Sequence, residues 1–381
     1  MYNIIHNNLI NRFIELRLKY LSILLLCLGL GTLANIKFLN VSYTENKWQK
    51  LKQTISCMAN NGTWVDVGIQ SASLYPTLCD KTVRFVKNLC NSTYYELRKG
   101  LNYLWQAKCG HFQTQKLNRE KLCSYLKGTN ILNLGDSMTE EFHSAFLSAI
   151  LDSSDRNCHQ FRFLERGVAI PLCKFKNFPS STISYHRHDY FLLKKHFDFI
   201  SESDFKVKRQ YTYGGEELFG YNWMDGINQN NINLIIVNRG LHYRDTIKVI
   251  KELNDTFSFL TTQYPNVSII FRSTSAGHEK CKRNFFNEPL NNVSSILLDD
   301  NNEWGLSKIN HQNQQVHKLI DRYFPMVLYL DIFPSTILCA DSHPISDNDC
   351  LHYCHPGPVD NWIIMLYNLL YLLKEKFNTN K

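Results

Sequence analysis

The stretch Asn130-Ile131-Leu132-Asn133-Leu134-Gly135-Asp136-Ser137 passes from a short, mostly apolar run into a glycine, an acid and a serine. A run this short, bounded by a turn signal, predicts a buried strand over Asn130–Leu134. Immediately beyond it, Phe142, Ala145, Phe146, Ala149 and Ile150 recur at helical spacing, so Gly-Asp-Ser occupies a strand-to-helix turn. Three similar runs follow, at Ile232–Asn238, Val267–Arg272 and Met326–Ile332. Helical stretches accompany them: Val316, Leu319, Ile320 and Tyr323 before the last strand, then Val359, Trp362, Ile363, Leu366, Leu369, Leu370 and Leu373 after it. Strands alternating with helices imply an α/β fold, a parallel sheet covered on both faces. In such folds the chemistry sits at the carboxyl ends of the strands, where Gly135-Asp136-Ser137 lies.

The 381 residues suffice for one large domain or two ordinary ones, and 44% hydrophobic residues with 13% aromatic supply a core. Forty-two Lys+Arg against 34 Asp+Glu leave a net charge of +8. That surplus is modest and no long basic run appears, which argues against a nucleic-acid partner. Twelve cysteines spread along the chain point to an oxidising compartment. From Tyr20 to Ala34 the chain is nearly all apolar, preceded by Arg12, Arg17 and Lys19. Extended to Leu39, with Lys37 snorkelling, the segment reaches about 30 Å and reads as a signal anchor. Thr32-Leu33-Ala34 also has the form of a cleavage site, which leaves a cleaved signal peptide as the other reading. Sequons begin at Asn40, Asn61, Asn91, Asn254, Asn266 and Asn292; in so asparagine-rich a chain they permit a lumenal location without proving it.

Gly-Asp-Ser offers two roles. Asp136 or Ser137 can cap a helix with Glu140 or Glu141 as box partner, or the serine hydroxyl can act as a nucleophile beside helix N–H groups that hold an oxyanion. A nucleophilic serine needs a base fixed by a carboxylate. Asp349-Cys350-Leu351-His352 can supply both within one loop. Cys350, His352, Cys354 and His355 also have the makings of a zinc site, but closely spaced cysteines in an oxidising lumen are disulfide partners first, and no second cluster completes the set, so no metal is expected.

Together these segments resemble the SGNH-type core of the PC-esterase superfamily, and in particular its trichome birefringence-like polysaccharide O-acetyltransferases. Asn133–Ser137 and Asp349–His352 carry the resemblance, with Asn238-Arg239-Gly240-Leu241-His242 where the family has an Asn-x-Gly-x-His segment. Phe271–His278, Asp331 with Pro334, Asp341–Pro344 and Pro356–Trp362 extend it. Upstream, Cys57, Gly62–Asp66, Tyr75-Pro76, Cys79, Cys90 and Trp105–Cys109 resemble the family's cysteine-rich N-terminal domain. Met138-Thr139-Glu140-Glu141 and Tyr353 depart from the plant branch, which has Ser-Arg-Asn-Gln and a tryptophan there.

The resemblance implies an acyl-serine mechanism with Ser137 as nucleophile, His352 as base and Asp349 as its partner. The Gly240 N–H or the Asn238 side chain is the expected oxyanion donor besides the Ser137 N–H. Arg187, Asp189, Arg239, His242 and Arg272 are the expected substrate contacts, although Arg187-His188-Asp189 also reads as a surface ion pair. Trp362 shares the apolar spacing of Ile363 and Leu366 and is expected in the core. The family pattern places Cys57 and Cys109 in disulfides and pairs Cys354 with Cys90 and Cys350 with Cys281, bracing the base loop; a local Cys350–Cys354 bridge is the alternative. The implied activity is O-acetyl transfer to glycan hydroxyls, with an esterase or a non-catalytic glycoprotein of the same fold as alternatives. The donor would be acetyl-CoA or an acetylated carrier, the acceptor a polysaccharide or glycoprotein glycan, and no cofactor is bound. The expected organisation is a cytosolic tail (1–19), a single-pass type II anchor in a Golgi or other secretory membrane (20–39), a polar stem (40–56), the cysteine-rich domain (57–127) and a lumenal catalytic domain (128–381).

Overall fold

The computed structural model describes residues 36–39, 41–68, 102–151, 169–173, 181–188, 210–213, 216–219, 223–240, 245–278, 288–292, 306–344, 349–355 and 357–377. A ribbon of β1 (Ile36–Phe38) and β2 (Val41–Tyr43) leads into α1 (Glu45–Asn60). Then β3 (Gly62–Asp66), β4 (Tyr103–Cys109) and β5 (Phe112–Gln113) form a small antiparallel sheet, followed by α2 (Arg119–Tyr125). The main unit comprises β6 (Asn130–Gly135), α3 (Ser137–Ile150), β7 (Ile170–Leu172) and β8 (Ser181–Arg187). It continues through the hairpin β9 (Gln210–Tyr213) and β10 (Glu216–Phe219), α4 (Trp223–Gln229), β11 (Leu234–Val237) and α5 (Thr246–Gln263). Last come β12 (Ser268–Arg272), α6 (Leu306–Tyr323), β13 (Leu328–Leu330), α7 (Phe333–Thr336) and α8 (Pro358–Tyr371), which runs on as a π-helical turn, Leu372–Lys376.

The main sheet has the order β13-β12-β11-β6-β8-β7, parallel throughout except for the edge strand β7. Its inner strands bury side chains on both faces. Ile131, Ile183, Ile236, Ile270 and Leu328 pack towards α1, α3 and α8. The intervening residues Leu132, Leu134, Ile235, Val237, Ile269 and Phe271 pack towards α4, α5 and α6. That period-two division between two apolar layers explains why these strands read as unbroken apolar runs. The four predicted strands are β6, β11, β12 and β13, each within a few residues of its expected bounds. β8 is not expected from the sequence: Ser181-Thr182-Ile183-Ser184-Tyr185-His186-Arg187 is mostly polar, yet it pairs along the whole of β6.

The structure corrects the expected N-terminal organisation. Residues 36–39, expected as the end of the membrane segment, belong to the fold: Phe38 and Leu39 are buried in the core, and Lys374 Nζ donates to the Leu39 carbonyl at 2.9 Å. Residues 20–35 lie outside the described residues, and no helix among the described residues is long and apolar enough to cross a membrane. The expected stem is instead β2 and most of α1, with Thr44 as N-cap. Trp48, Leu51, Ile55 and Met58 of that helix are fully buried, and Trp48 Nε1 donates to the Pro325 carbonyl at 2.9 Å. Tyr43 Oη likewise donates to Leu373 O at 2.8 Å. The N-terminal segments thus fill one face of the main unit rather than standing apart from it.

Two disulfides join described cysteines. Cys57–Cys109 ties α1 to β4, and Cys123–Cys173, an unpredicted pair, ties α2 to the end of β7. Cys339 is a buried thiol.

Candidate active site

Among the parallel strands the chain starts at β6, places β8 on one side of it, then crosses to β11 on the other. The carboxyl end of β6 is therefore the topological switch point, where neighbouring connections diverge and leave a crevice. Gly135 ends β6, and Asn238 follows β11 beside it, its N–H donating to Leu134 O at 3.0 Å. A β-carbon at Gly135 would collide with Thr139 Oγ1 and stand 3.0 Å from the Asn238 carbonyl oxygen, so this turn requires glycine.

Asp136 takes the N-cap role: its Oδ1 accepts the Met138 N–H at 3.0 Å. Ser137 is left as the first residue of α3, and its Oγ lies 2.9 Å from His352 Nε2. His352 Nδ1 donates to Asp349 Oδ2 at 2.8 Å. With the proton on Nδ1, the Nε2 lone pair faces the serine hydroxyl, the orientation a general base needs. Asp349 Oδ1 accepts the N–H groups of Leu351 and His352 at 3.2 and 3.0 Å, folding the carboxylate back over its own loop.

Electrostatics match that geometry. Burial acts to raise the Asp349 carboxyl, but the His352 hydrogen bond and charge, with two backbone N–H groups, outweigh it and bring it down to about 2. Burial acts to lower the His352 imidazole; Asp349, Glu141 and Asp136 together overcome this and raise it above its ordinary value.

Three further contacts hold the base loop from behind. His343 Nδ1 donates to the His352 carbonyl at 2.7 Å, the His278 N–H donates to Cys350 O at 2.9 Å, and the Tyr353 N–H donates to Glu141 Oε1 at 3.2 Å. Cys350 and Cys354, on either side of His352, are both disulfide-bonded, so neither offers a thiolate to a metal. Their expected partners Cys281 and Cys90 lie outside the described residues, as do Asp189 and His242.

The backbone N–H groups of Ser137 and Gly240 donate no hydrogen bond among the described residues. Gly240 has φ 150°, and a β-carbon there would meet Gln312 Oε1 and come 2.6 Å from Thr274 Oγ1. The Asn238 side chain, the alternative oxyanion donor, has its Nδ2 engaged: it donates to Arg272 O at 2.9 Å and to Thr274 Oγ1 at 3.3 Å. Its work is to join the ends of β11 and β12.

Two of the expected substrate contacts, Arg239 and Arg272, are buried in the fold. Arg239 is 1% exposed and forms a bidentate pair with Glu252 of α5, at 3.0 and 3.1 Å. Arg272 is fully buried, donates to Thr139 Oγ1 at 3.1 Å and lies against the rings of Phe142 and Trp362. Burial lowers its guanidinium to about 10, against the opposing pull of Asp136 and Glu141. Arg187 remains near the site, 3.9 Å from Glu140 at the start of α3. Trp362 is core, as expected, with Nε1 donating to Thr336 Oγ1 at 2.9 Å. Glu141, one helical turn beyond Ser137, is expected from the sequence only as a capping-box partner; its helical spacing from the serine is the signal for a place beside the site.

No family model matches the chain, and no curated protein matches it. Among solved structures, the chain is similar to the periplasmic domain of a Salmonella ser. Paratyphi A lipopolysaccharide acetyltransferase: 12% identity, TM-score 0.32, over 68% of this chain and 88% of that one. It is similar to a peptidoglycan O-acetylesterase at 8% identity and TM-score 0.37, over 67% of this chain and 94% of that one. A family two carbohydrate esterase from Clostridium thermocellum, solved with cellohexaose, matches at 10% identity and TM-score 0.30, over 65% of this chain and 64% of that one. The parallel-rich sheet with helices on both faces is the α/β architecture expected from the sequence.

Proposed function

We propose that this chain transfers acetyl groups to glycan hydroxyls through an acyl-serine at Ser137. The observation that carries the proposal is the hydrogen-bonded series Ser137 Oγ–His352–Asp349 at the switch point of the sheet. His352 takes the hydroxyl proton as Ser137 Oγ bonds to the acetyl carbon; Asp349 stabilises the imidazolium, and the N–H groups of Ser137 and Gly240 receive the oxyanion. Collapse expels the donor's leaving group with the proton from His352. A sugar hydroxyl then gives its proton to His352 and takes the acetyl group, regenerating the serine.

Acetyl as the acyl group and glycan as the acceptor come from the motif resemblance around Ser137, Gly240, His278 and His352. Disulfides at Cys57, Cys109, Cys123, Cys173, Cys350 and Cys354 support an oxidising compartment. We place the chain in the secretory pathway, tethered through the apolar residues before Ile36, with the site lumenal.

The deciding experiment incubates the protein with an acetyl donor, with and without candidate oligosaccharides, and follows acetyl groups by mass spectrometry. Acetylated oligosaccharide that depends on Ser137 is the expected result. Acetate release alone would make the chain an esterase, and no turnover with any donor would remove the enzymatic proposal.

A further inference from the structure

We propose that Glu141 is a positioning residue for His352: a second carboxylate that ties the nucleophile's helix to the base loop and sets the charge state of the base. The proposal rests on the acyl-transfer reading above. Glu141 lies four residues after Ser137 in α3, hence on the same helix face. It is 1% exposed, and both carboxylate oxygens face the N–H of Tyr353, the residue that follows His352, at 3.2 and 3.4 Å. One side chain thus connects the two halves of the site across 212 residues of sequence.

A glutamine would accept the same N–H. What a glutamate adds is charge, in a place where charge is costly to bury and strong once buried. The ionisable groups that interact with it are His352, His355, Asp349 and Tyr353 from the base loop and Arg272 from β12, while Asp136 at the head of α3 acts on His352 and Arg272. Burial raises the Glu141 carboxyl to about 7, against the pull of His352 and His355. In return Glu141 is among the groups that raise His352. When His352 takes the serine proton, positive charge forms on an imidazole that is bonded to Asp349 and interacts electrostatically with Glu141. An acceptor serving structure alone would not couple to that event.

The test follows the imidazole of His352 by NMR in full-length protein carrying labelled histidine, with His352→Asn to assign the signal. The wild-type resonance should titrate in two steps, because a neighbour ionising in the same range is felt by the base. Glu141→Gln should give a single step displaced by about one unit or more towards acid, and Glu141→Asp should restore the wild-type position in part. The acid limb of kcat/KM should move with the NMR midpoint in each variant. A single wild-type step, or a midpoint unmoved in Glu141→Gln, overturns the proposal and leaves Glu141 a structural acceptor. If the wild type transfers no acetyl group, the acyl-transfer reading fails, while the NMR midpoints still decide the role of Glu141.

Discussion

Replacing Ser137 by alanine removes one hydroxyl from a helix start and nothing from the core, so Ser137→Ala should abolish turnover and change stability by no more than about 1 kcal/mol. His352→Ala should be as inactive. Asp349→Asn leaves the oxyanion donors in place and should retain a trace of activity, down by about 10³–10⁴-fold. Because His352 is raised above the ordinary 6.5 and acts as a base only when neutral, the acid limb of kcat/KM should lie above that value, as a pH–rate profile will show. Glu141 carries an opposite signature in stability. Its carboxyl rises from 4.5 to about 7 on folding, so its stabilising contribution is complete below 4.5 and is lost as pH rises through 7. Thermal melts should therefore find Glu141→Gln more stable than the wild type at pH 8, by on the order of a few kcal/mol, with the gain fading towards pH 5. A variant that is more stable but has its acid limb displaced is the mark of a group kept for function.

At the scale of elements, the turn between β6 and α3 is the piece with least freedom. A methyl group at Gly135 would push on Thr139, which receives Arg272, and on the carbonyl of Asn238. Gly135→Ala should cost about 1–3 kcal/mol and reduce activity by more than the lost folded fraction, measured by melting and turnover on the same preparation. β6, β11, β12 and β13 were legible in the sequence because a strand buried on both faces must be apolar along its length. β8 was not, since serine and threonine alternate with its apolar residues; Thr182, for one, bonds the Asn130 side chain at 3.0 Å. The candidate triad was legible for a different reason: Gly-Asp-Ser and Asp-x-x-His are local patterns whose roles require each other. The burial of Arg239 and Arg272 was not legible, because a place at a strand's end fixes the edge but not the side to which a long side chain turns. Glu141 meets its partner only in the folded chain, which no local pattern reports.

Across the whole molecule, the N-terminal residues were misjudged most. Polar character over 40–56 suggested a stem, yet only the outward face of α1 is polar, and the other face is core. Trp48 is fully buried against Phe38 and Tyr43, with ring centroids 5.7 and 5.4 Å away. Trp48→Ala should accordingly cost about 3–5 kcal/mol by denaturant unfolding, whereas a side chain on a solvated stem would cost close to nothing. Cys57–Cys109 and Cys123–Cys173 fasten this N-terminal layer to itself and to the sheet edge.

The central claim, that Ser137 carries the acyl group, is most directly tested by trapping it. The protein is mixed with a chromogenic acetyl ester, quenched in acid within the first turnovers and digested for peptide mass spectrometry. The account predicts one acetyl group on the peptide containing Ser137, accumulating in the wild type and absent from His352→Ala. Acetyl on a different serine, or turnover in which Ser137 is never modified, would contradict it.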